Sequence, residues 1–204
     1  MQQSESELLL RAQNGDSEAF SGLVDIYQRP VFNLCYRMSG NAEDAEDAAQ
    51  ETFLRAYKSI KRFDMSRPFS TWLLSIAAHY CIDQARRRRY QVVSIEELPV
   101  PDLPDQSPGV EKGIVLKEDQ QRIRKLLQSL DPTDRAAVVM YYWYDFSYIE
   151  IARSLSLTES AVKSRLHRAR RKMAQVWLDR KSQKSGRAII SMAPEKILPE
   201  RMAP

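Results

Sequence analysis

Three groups of charged side chains in this 204-residue sequence are placed to do chemistry, and none of them is a catalytic set. One is acidic: Asp44, Glu46 and Asp47, followed by Gln50 and Glu51. The second is the unbroken run Arg86, Arg87, Arg88, Arg89. The third is spaced along one segment, with Lys163, Arg165, Arg168, Arg170 and Arg171 interleaved with Ser160, Ser164 and His167. A row of carboxylates suits a cationic partner, and guanidinium forks match phosphate oxygens. Short hydroxyls and an imidazole among long cations suit a nucleic-acid groove, which offers base edges flanked by phosphates. Bond-making chemistry is not indicated. No Cys, Asp or Glu stands at ligand spacing on the face of His167, so DNA contact or simple exposure is expected there, not metal or base duty. Cys35 and Cys81 sit in apolar periodic segments and read as small core residues. Six glycines argue against a glycine-cradled nucleotide site. The expectation is a non-enzymatic protein with no metal and no cofactor.

The net charge of +4 conceals its distribution. Residues 1–54 sum to −7, residues 55–92 to +7, residues 93–113 to −4, residues 114–177 to +5 and residues 178–204 to +3. Opposite poles in one small domain suggest two partners of opposite electrostatic character, one of them nucleic acid. No apolar stretch approaches the ~18 residues of a membrane span, and Met1 to Ser6 lacks the regions of a signal peptide, so a cytoplasmic protein without membrane insertion is expected.

The elements that must carry these groups are helical throughout. Ser4 and Glu7 begin a capping pattern before Leu8, and Gly15 stops that helix. Phe20, Leu23, Val24, Tyr27, Val31, Leu34, Cys35 and Met38 recur at three- and four-residue intervals, with Pro30 expected to kink the helix. Asn41 caps a third helix whose first turns hold the acids, where the helix dipole favours them; Ala45, Ala49, Phe53, Ala56, Tyr57 and Ile60 are expected inside. The loop from Phe63 to Pro68 precedes a fourth helix that begins at Ser70 and ends in the arginine run. At its helical spacing, Trp72 with Phe69, Leu73, Ile76 and Tyr80 reads as core. Residues 93–113, rich in proline and acid, form a linker. A second helical domain follows over 114–177: one helix marked by Leu116, Ile123, Leu126, Leu127 and Leu130, one begun by Asp131 and Pro132, a short one boxed by Ser147 and Glu150, and a last basic one after Ser156, Leu157 and Thr158. Two helices joined by about three residues, the second basic, is the helix-turn-helix layout. The fold class is all-α, two small domains joined by a flexible acidic linker. Residues 178–204 read as a basic tail, with disorder favoured over a docking segment.

At 100° per residue, Val162, Leu166, Ala169 and Met173 fall on one side of the last helix and define its packed face. Ser160, Lys163, Ser164, His167, Arg168 and Arg171 point the other way, with Arg165, Arg170 and Lys172 on the flanks. The first set contains the base-reading candidates Ser160, Lys163, Ser164 and His167. Arg165, Arg168, Arg170 and Arg171 are phosphate-clamp candidates, Arg168 suited to both roles.

Asp44 to Asp64 (DAEDAAQETFLRAYKSIKRFD), Arg67 to Arg89 (RPFSTWLLSIAAHYCIDQARRRR) and Ser147 to Met173 (SYIEIARSLSLTESAVKSRLHRARRKM) together resemble the extracytoplasmic-function class of bacterial sigma factors, over about residues 5 to 177 and in the family's order. The resemblance implies a transcription-initiation subunit with three partners: core RNA polymerase, met through the clamp coiled coil of its largest subunit and its flap region; promoter DNA; and an anti-sigma factor. It implies that Asp44, Glu46, Asp47, Gln50 and Glu51 dock on the coiled coil, and that Arg55 to Tyr90 reads and melts the minus-10 element. Within that half, Phe63, Asp64, Met65, Ser66, Arg67 and Pro68 match the loop that captures a flipped base, and Arg86 to Arg89 would hold phosphates. Ser160, Lys163, Ser164, Arg165, His167, Arg168 and Arg171 match the minus-35 reader. Two departures are visible: His79 stands where the family commonly has Asn, and Ser160-Ala161 where many relatives have Gly-Thr. The acidic linker resembles the connector that threads toward the RNA exit path. The competing reading is a stand-alone helix-turn-helix regulator, which would not need the −7 and +7 halves of the first domain.

Overall fold

A computed structural model describes residues 4–94 and 112–190; the linker centre and the last fourteen residues lie outside them. Every regular element among the described residues is helical: α1 (Glu5–Gln13), α2 (Ser17–Ser39), α3 (Ala42–Ser59), a 3-10 turn (Ile60–Arg62), α4 (Phe69–Ser94), α5 (Lys112–Gln128), α6 (Pro132–Trp143), α7 (Tyr148–Ser154) and α8 (Glu159–Ile190). No described helix is long and apolar enough to cross a membrane.

The helix boundaries follow from side chains that satisfy end groups. Ser4 Oγ accepts from the Glu7 amide, Asp16 from Glu18 and Ala19, Asn41 from Asp44, and Asp131 from Thr133. Each such acceptor satisfies one of the amides that a helix N-terminus leaves without a partner. Ser147 and Glu150 form the reciprocal box that starts α7. Thr158 Oγ1 accepts from the Ala161 amide at the head of α8. Ser156, at φ +54°, makes the turn between these last two helices.

Helix α2 lies at the centre, against α1, α3, α4, α5 and α6. Besides Ala19, its buried residues Phe20, Leu23, Val31, Leu34, Cys35 and Met38 are those of the expected stripe, with Val24 and Tyr27 half-buried. Helix α3 is phased differently from the expectation. Ala45, Ala48, Thr52 and Ala56 are buried, Ala49 and Phe53 only partly so, and Tyr57 is exposed. Thr52 tolerates burial because its hydroxyl donates to the Ala48 carbonyl at 2.7 Å one turn back. Cys35 and Cys81 are buried core residues, and hydrogen bonding to the Cys81 sulfur, with burial adding to it, pushes the Cys35 thiol far up. Helix α8 also departs from expectation: it continues to Ile190, well into the segment read as a disordered tail.

The helices before and after the linker share one apolar core, and polar contacts seal the seam at the end of α2. A helix C-terminus leaves its last carbonyls unpaired, and cations favour that end. The Met38 carbonyl accepts from the guanidinium of Arg135 and, at 3.2 Å, from the Gln128 amide. Arg124 donates to the Gly40 carbonyl at 3.2 Å, and Tyr144 to the Pro30 carbonyl at 2.6 Å. Arg37 lies over the Trp143 ring, 5.0 Å from its centroid. Gly40 ends α2 in the left-handed region at φ +86°, and a Cβ there would come within 2.8 Å of Gln128 Nε2. Gly40→Ala should therefore cost about 1 kcal/mol or more in urea denaturation, through both the strained backbone and the contact. Adding Gln128→Ala should not restore the whole loss, because φ stays positive and the Gln128 bonds to Met38 and Arg135 are lost with it; full restoration would show that the contact alone matters.

Candidate nucleic-acid interface

The outward row of α8 stands as the angular reading placed it. Val162, Leu166 and Ala169 are buried and Met173 is half-buried, while Ser160, Lys163, Ser164, His167, Arg168 and Arg171 are exposed. Three of the cations on α8 already have partners. Lys163 pairs with Glu159 at 3.0 Å, one turn back, and lies 5.7 Å from the Tyr148 ring centroid. Arg165 is tied at 2.6 Å to Asp134 on α6, with both side chains largely covered. That pair braces α8 against α6 behind it. Arg170, on the flank, donates to the Tyr142 hydroxyl at 3.0 Å and covers the Tyr141 ring. Among the described residues Arg168 and Arg171 make no ion pair, so their guanidinium groups are open to an anionic ligand.

The loop before α4 is built around one carboxylate. Asp64 Oδ1 accepts from the Ser66 amide at 3.0 Å and from its hydroxyl at 2.7 Å, and Oδ2 lies 3.3 Å from Arg67. The Ser66 bonds, with Arg67 adding attraction, hold the Asp64 carboxyl below its ordinary value. Asp64, Met65, Ser66, Arg67 and Pro68 are exposed. Phe63 is not: its ring is buried, 5.5 Å from the Phe69 centroid and 4.9 Å from that of Trp72. It forms the floor under the loop, and Phe69 and Trp72 belong to the same aromatic cluster, as their helical spacing suggested. Gln13, which the sequence reading did not single out, pins this loop from the end of α1. Its amide donates to the carbonyls of Ile60 at 3.1 Å and Phe63 at 2.7 Å. No local pattern signals a contact across some fifty residues of chain.

On α4, His79 is exposed and its Nδ1 lies 2.9 Å from the Ser75 carbonyl, leaving Nε2 directed away from that bond. The four arginines differ from one another. Arg87 and Arg89 are exposed, and Arg86 reaches across the seam to the Thr133 hydroxyl at 3.3 Å. Arg88 clasps the Asp44 carboxylate with both terminal nitrogens. On α3, Glu46, Asp47 and Gln50 are exposed, and Glu51 pairs with Arg55 at 2.7 Å, whose guanidinium covers the Tyr80 ring. Asp44 and Asp47 share the wall of a cavity of about 770 Å³ with Arg88, Arg89, Arg135 and Lys172, so the acidic and basic clusters meet there. Among the described residues no group of His, Cys, Asp and Glu is placed to hold a metal ion.

Two measurements test this geometry. Gln13→Ala should leave the Ile60 and Phe63 carbonyls without that donor and cost about 1 kcal/mol. Amide hydrogen exchange over residues 60–68 should quicken, and unchanged exchange would show that the loop holds itself. Arg88 is the main cause that lowers the Asp44 carboxyl below its ordinary 3.8. The pair's contribution to stability is therefore complete above 3.8 and is lost as pH falls through the depressed value. Carboxyl NMR should give Asp44 a midpoint below 3.8, and Arg88→Ala should raise it.

Comparison with known proteins places the chain in a family. Residues 23–90 match the sigma-70 region 2 family model and residues 120–173 match that of sigma-70 region 4. The ECF RNA polymerase sigma factor SigW of Bacillus subtilis is 36% identical over 167 residues, covering 78% of this chain and 89% of SigW. SigM of Mycobacterium tuberculosis is 31% identical over 175 residues, covering 86% of this chain and 85% of SigM. The solved structure of CnrH in complex with the cytosolic domain of CnrY has a TM-score of 0.63 at 25% identity, covering 85% of this chain and 96% of that one. RpoE of Bartonella quintana, solved in complex with the anti-sigma factor NepR, shares the fold with a TM-score of 0.60 at 23% identity, over 78% of this chain and 96% of that one. With two region models matched in order and relatives aligned over most of their length, the chain belongs to the extracytoplasmic-function sigma factors of the sigma-70 family, the subunits that direct RNA polymerase in transcription initiation.

Proposed function

We propose that this sigma factor reads a minus-35 element with Ser160, Lys163, Ser164, His167 and Arg168 on α8, with Arg171 and Arg165 beside them, and a minus-10 element with the helices before the linker. The observation that carries the reading is the exposed, cation-rich face of α8, presented by a capped α7, a tight turn and a buried opposite face. Such a helix fits the major groove, where Arg168 is free to take a guanine edge bidentately and Ser164 and His167 offer shorter contacts. Arg171 approaches phosphate. Arg165, braced by Asp134, orients the helix and gives up that pair only if it contacts the backbone itself.

In the first half, the loop from Asp64 to Arg67 is the candidate base pocket: exposed donors and acceptors held by Asp64, over an aromatic floor that begins with Phe63. His79 and the Arg86–Arg89 run supply the adjoining cationic track for an unpaired strand. Asp44, Glu46, Asp47, Gln50 and Glu51 form the face offered to core polymerase, where acids meeting a basic coiled coil would steer assembly and fix its orientation. The protein does this in the cytoplasm and catalyses no reaction itself. Domain limits of 1–92 and 114–177, with an acidic connector between, fit this division of labour. RpoE of Bartonella quintana is seen in complex with the anti-sigma factor NepR, which supports an anti-sigma partner here too.

Run-off transcription with purified core polymerase and promoters selected from random sequence tests the reading: initiation should require both polymerase and this chain. Tight duplex binding by the chain alone with no initiation would favour a stand-alone regulator. Arg168→Ala should weaken binding to the selected minus-35 duplex by ~1 to 3 kcal/mol, and far less on random duplex. An equal loss on both would make Arg168 a phosphate clamp and not a reader.

A further inference from the structure

The bond between Asp44 and Arg88 joins two surfaces that the proposed function gives to different partners. Asp44 belongs to the acidic row offered to polymerase, and Arg88 to the arginine run offered to DNA. In this structure each is taken up by the other. Both terminal nitrogens of Arg88 donate to the two oxygens of Asp44, which also accepts from the Asn41 amide. The pair mutually raises the Arg88 guanidinium and lowers the Asp44 carboxyl from their ordinary values, as an ion pair must. It is only half-sheltered: the Asp44 side chain is largely covered at 19% exposure, while that of Arg88 is 56% exposed. Its bidentate geometry makes it firmer than an ordinary surface pair, but the guanidinium is open enough to solvent for a competing anion to reach it. The fold does not need Asp44 for the helix start either: Asn41 caps α3 through the backbone amide of residue 44, which survives any change of its side chain.

We propose that the Asp44–Arg88 pair is an internal lock that withholds one phosphate-binding cation from DNA until a cation of the polymerase takes Asp44. The proposal rests on the reading of these two clusters given above. When a basic side chain of the polymerase engages Asp44, the guanidinium loses its anion and turns to the nearest one available, a strand phosphate. The linkage runs both ways: phosphate that draws off Arg88 exposes Asp44 and strengthens docking by the same factor. The neighbouring charges set the direction. Arg89, Arg135 and Lys172 line the same cavity and repel Arg88, while Asp47 and Asp131 are the other carboxylates there. Among the described residues neither of those two carboxylates forms an ion pair, and Arg88 has chosen Asp44.

The full chain, without polymerase, tests this with a fluorescein-labelled 20-nucleotide oligothymidylate as the phosphate probe. Asp44→Asn should bind about threefold tighter or more at low salt, with a log–log salt slope steeper by ~0.7, the increment for one more phosphate contact on a single strand. Asp47→Asn removes the same charge from the same cavity wall with no bond to release, and should gain clearly less. Arg88→Ala should bind more weakly than Asp44→Asn, and Asp44→Asn should add to it no more than Asp47→Asn adds. If Asp44→Asn disturbs the fold, as judged by circular dichroism, Asp44→Ala replaces it, since alanine favours the helix and keeps the Asn41 cap. Equal gains from Asp44→Asn and Asp47→Asn, or a gain that persists in full without Arg88, would overturn the lock and leave the arginine run as the DNA track. Failure of the unaltered chain and of every variant to bind the oligonucleotide would overturn both.

Discussion

A guanidinium with almost no access to water holds this molecule together. Arg135 is 6% exposed, and burial pulls its pKa down, yet a guanidinium stays charged inside proteins. Such a charge is tolerable only where acceptors surround it. Arg135 finds them in the carbonyls of Met38, Gln128 and Leu130 and the side-chain oxygen of Gln128, although its Nε has no partner. Two of those acceptors are carbonyls of the α5–α6 connection, and a third belongs to the end of α2. One side chain thus closes a turn in the second helical group and caps a helix of the first. The seam forms where each group has something the other lacks: unpaired carbonyls on one side, donors on the other.

That economy extends to the surfaces proposed for DNA and polymerase. The cations fall into two populations. Arg165, Arg170, Arg86 and Arg88 are engaged with Asp134, Tyr142, Thr133 and Asp44, whereas Arg168, Arg171, Arg87 and Arg89 project into solvent. The engaged group sets the pose of helices, and the projecting group is what an incoming polyanion first meets. A net charge of +4 therefore understates the field at α8 and overstates the number of cations available elsewhere.

Much of this was legible from residue types alone, because the informative features are local. N-caps at Ser4, Asn41, Asp131 and Ser147 set helix starts through contacts two or three residues away. The face of α8 follows from periodicity alone, since its apolar positions are few and unambiguous. Helix α3 misled for the opposite reason: alanines at 42, 45, 48, 49 and 56 fit more than one stripe, and a buried threonine looks polar until its back-bond is seen. Gln13 and Arg135 escaped notice because each acts on backbone carbonyls, those of Ile60 and Phe63 for Gln13 and that of Met38 for Arg135 lying far along the chain, and carbonyls have no sequence signature. Phe63 resembles a recognition residue in its motif yet lies beneath the loop, a distinction between wall and floor that only packing makes. The helical reach of α8 to Ile190 was hidden by a composition that suits a tail equally well.

The two cysteines have a consequence of a different kind. Cys35 is fully enclosed, Cys81 is 7% exposed, and the enclosed thiol is held far from ionisation. Alkylating and oxidising reagents attack thiolates, so the folded chain presents them with almost nothing to react with. Both sulfurs become available when α2 and α4 part. Their rate of labelling is then a clock for that opening, built into the chain at the middle of its first helical group and readable without adding a probe.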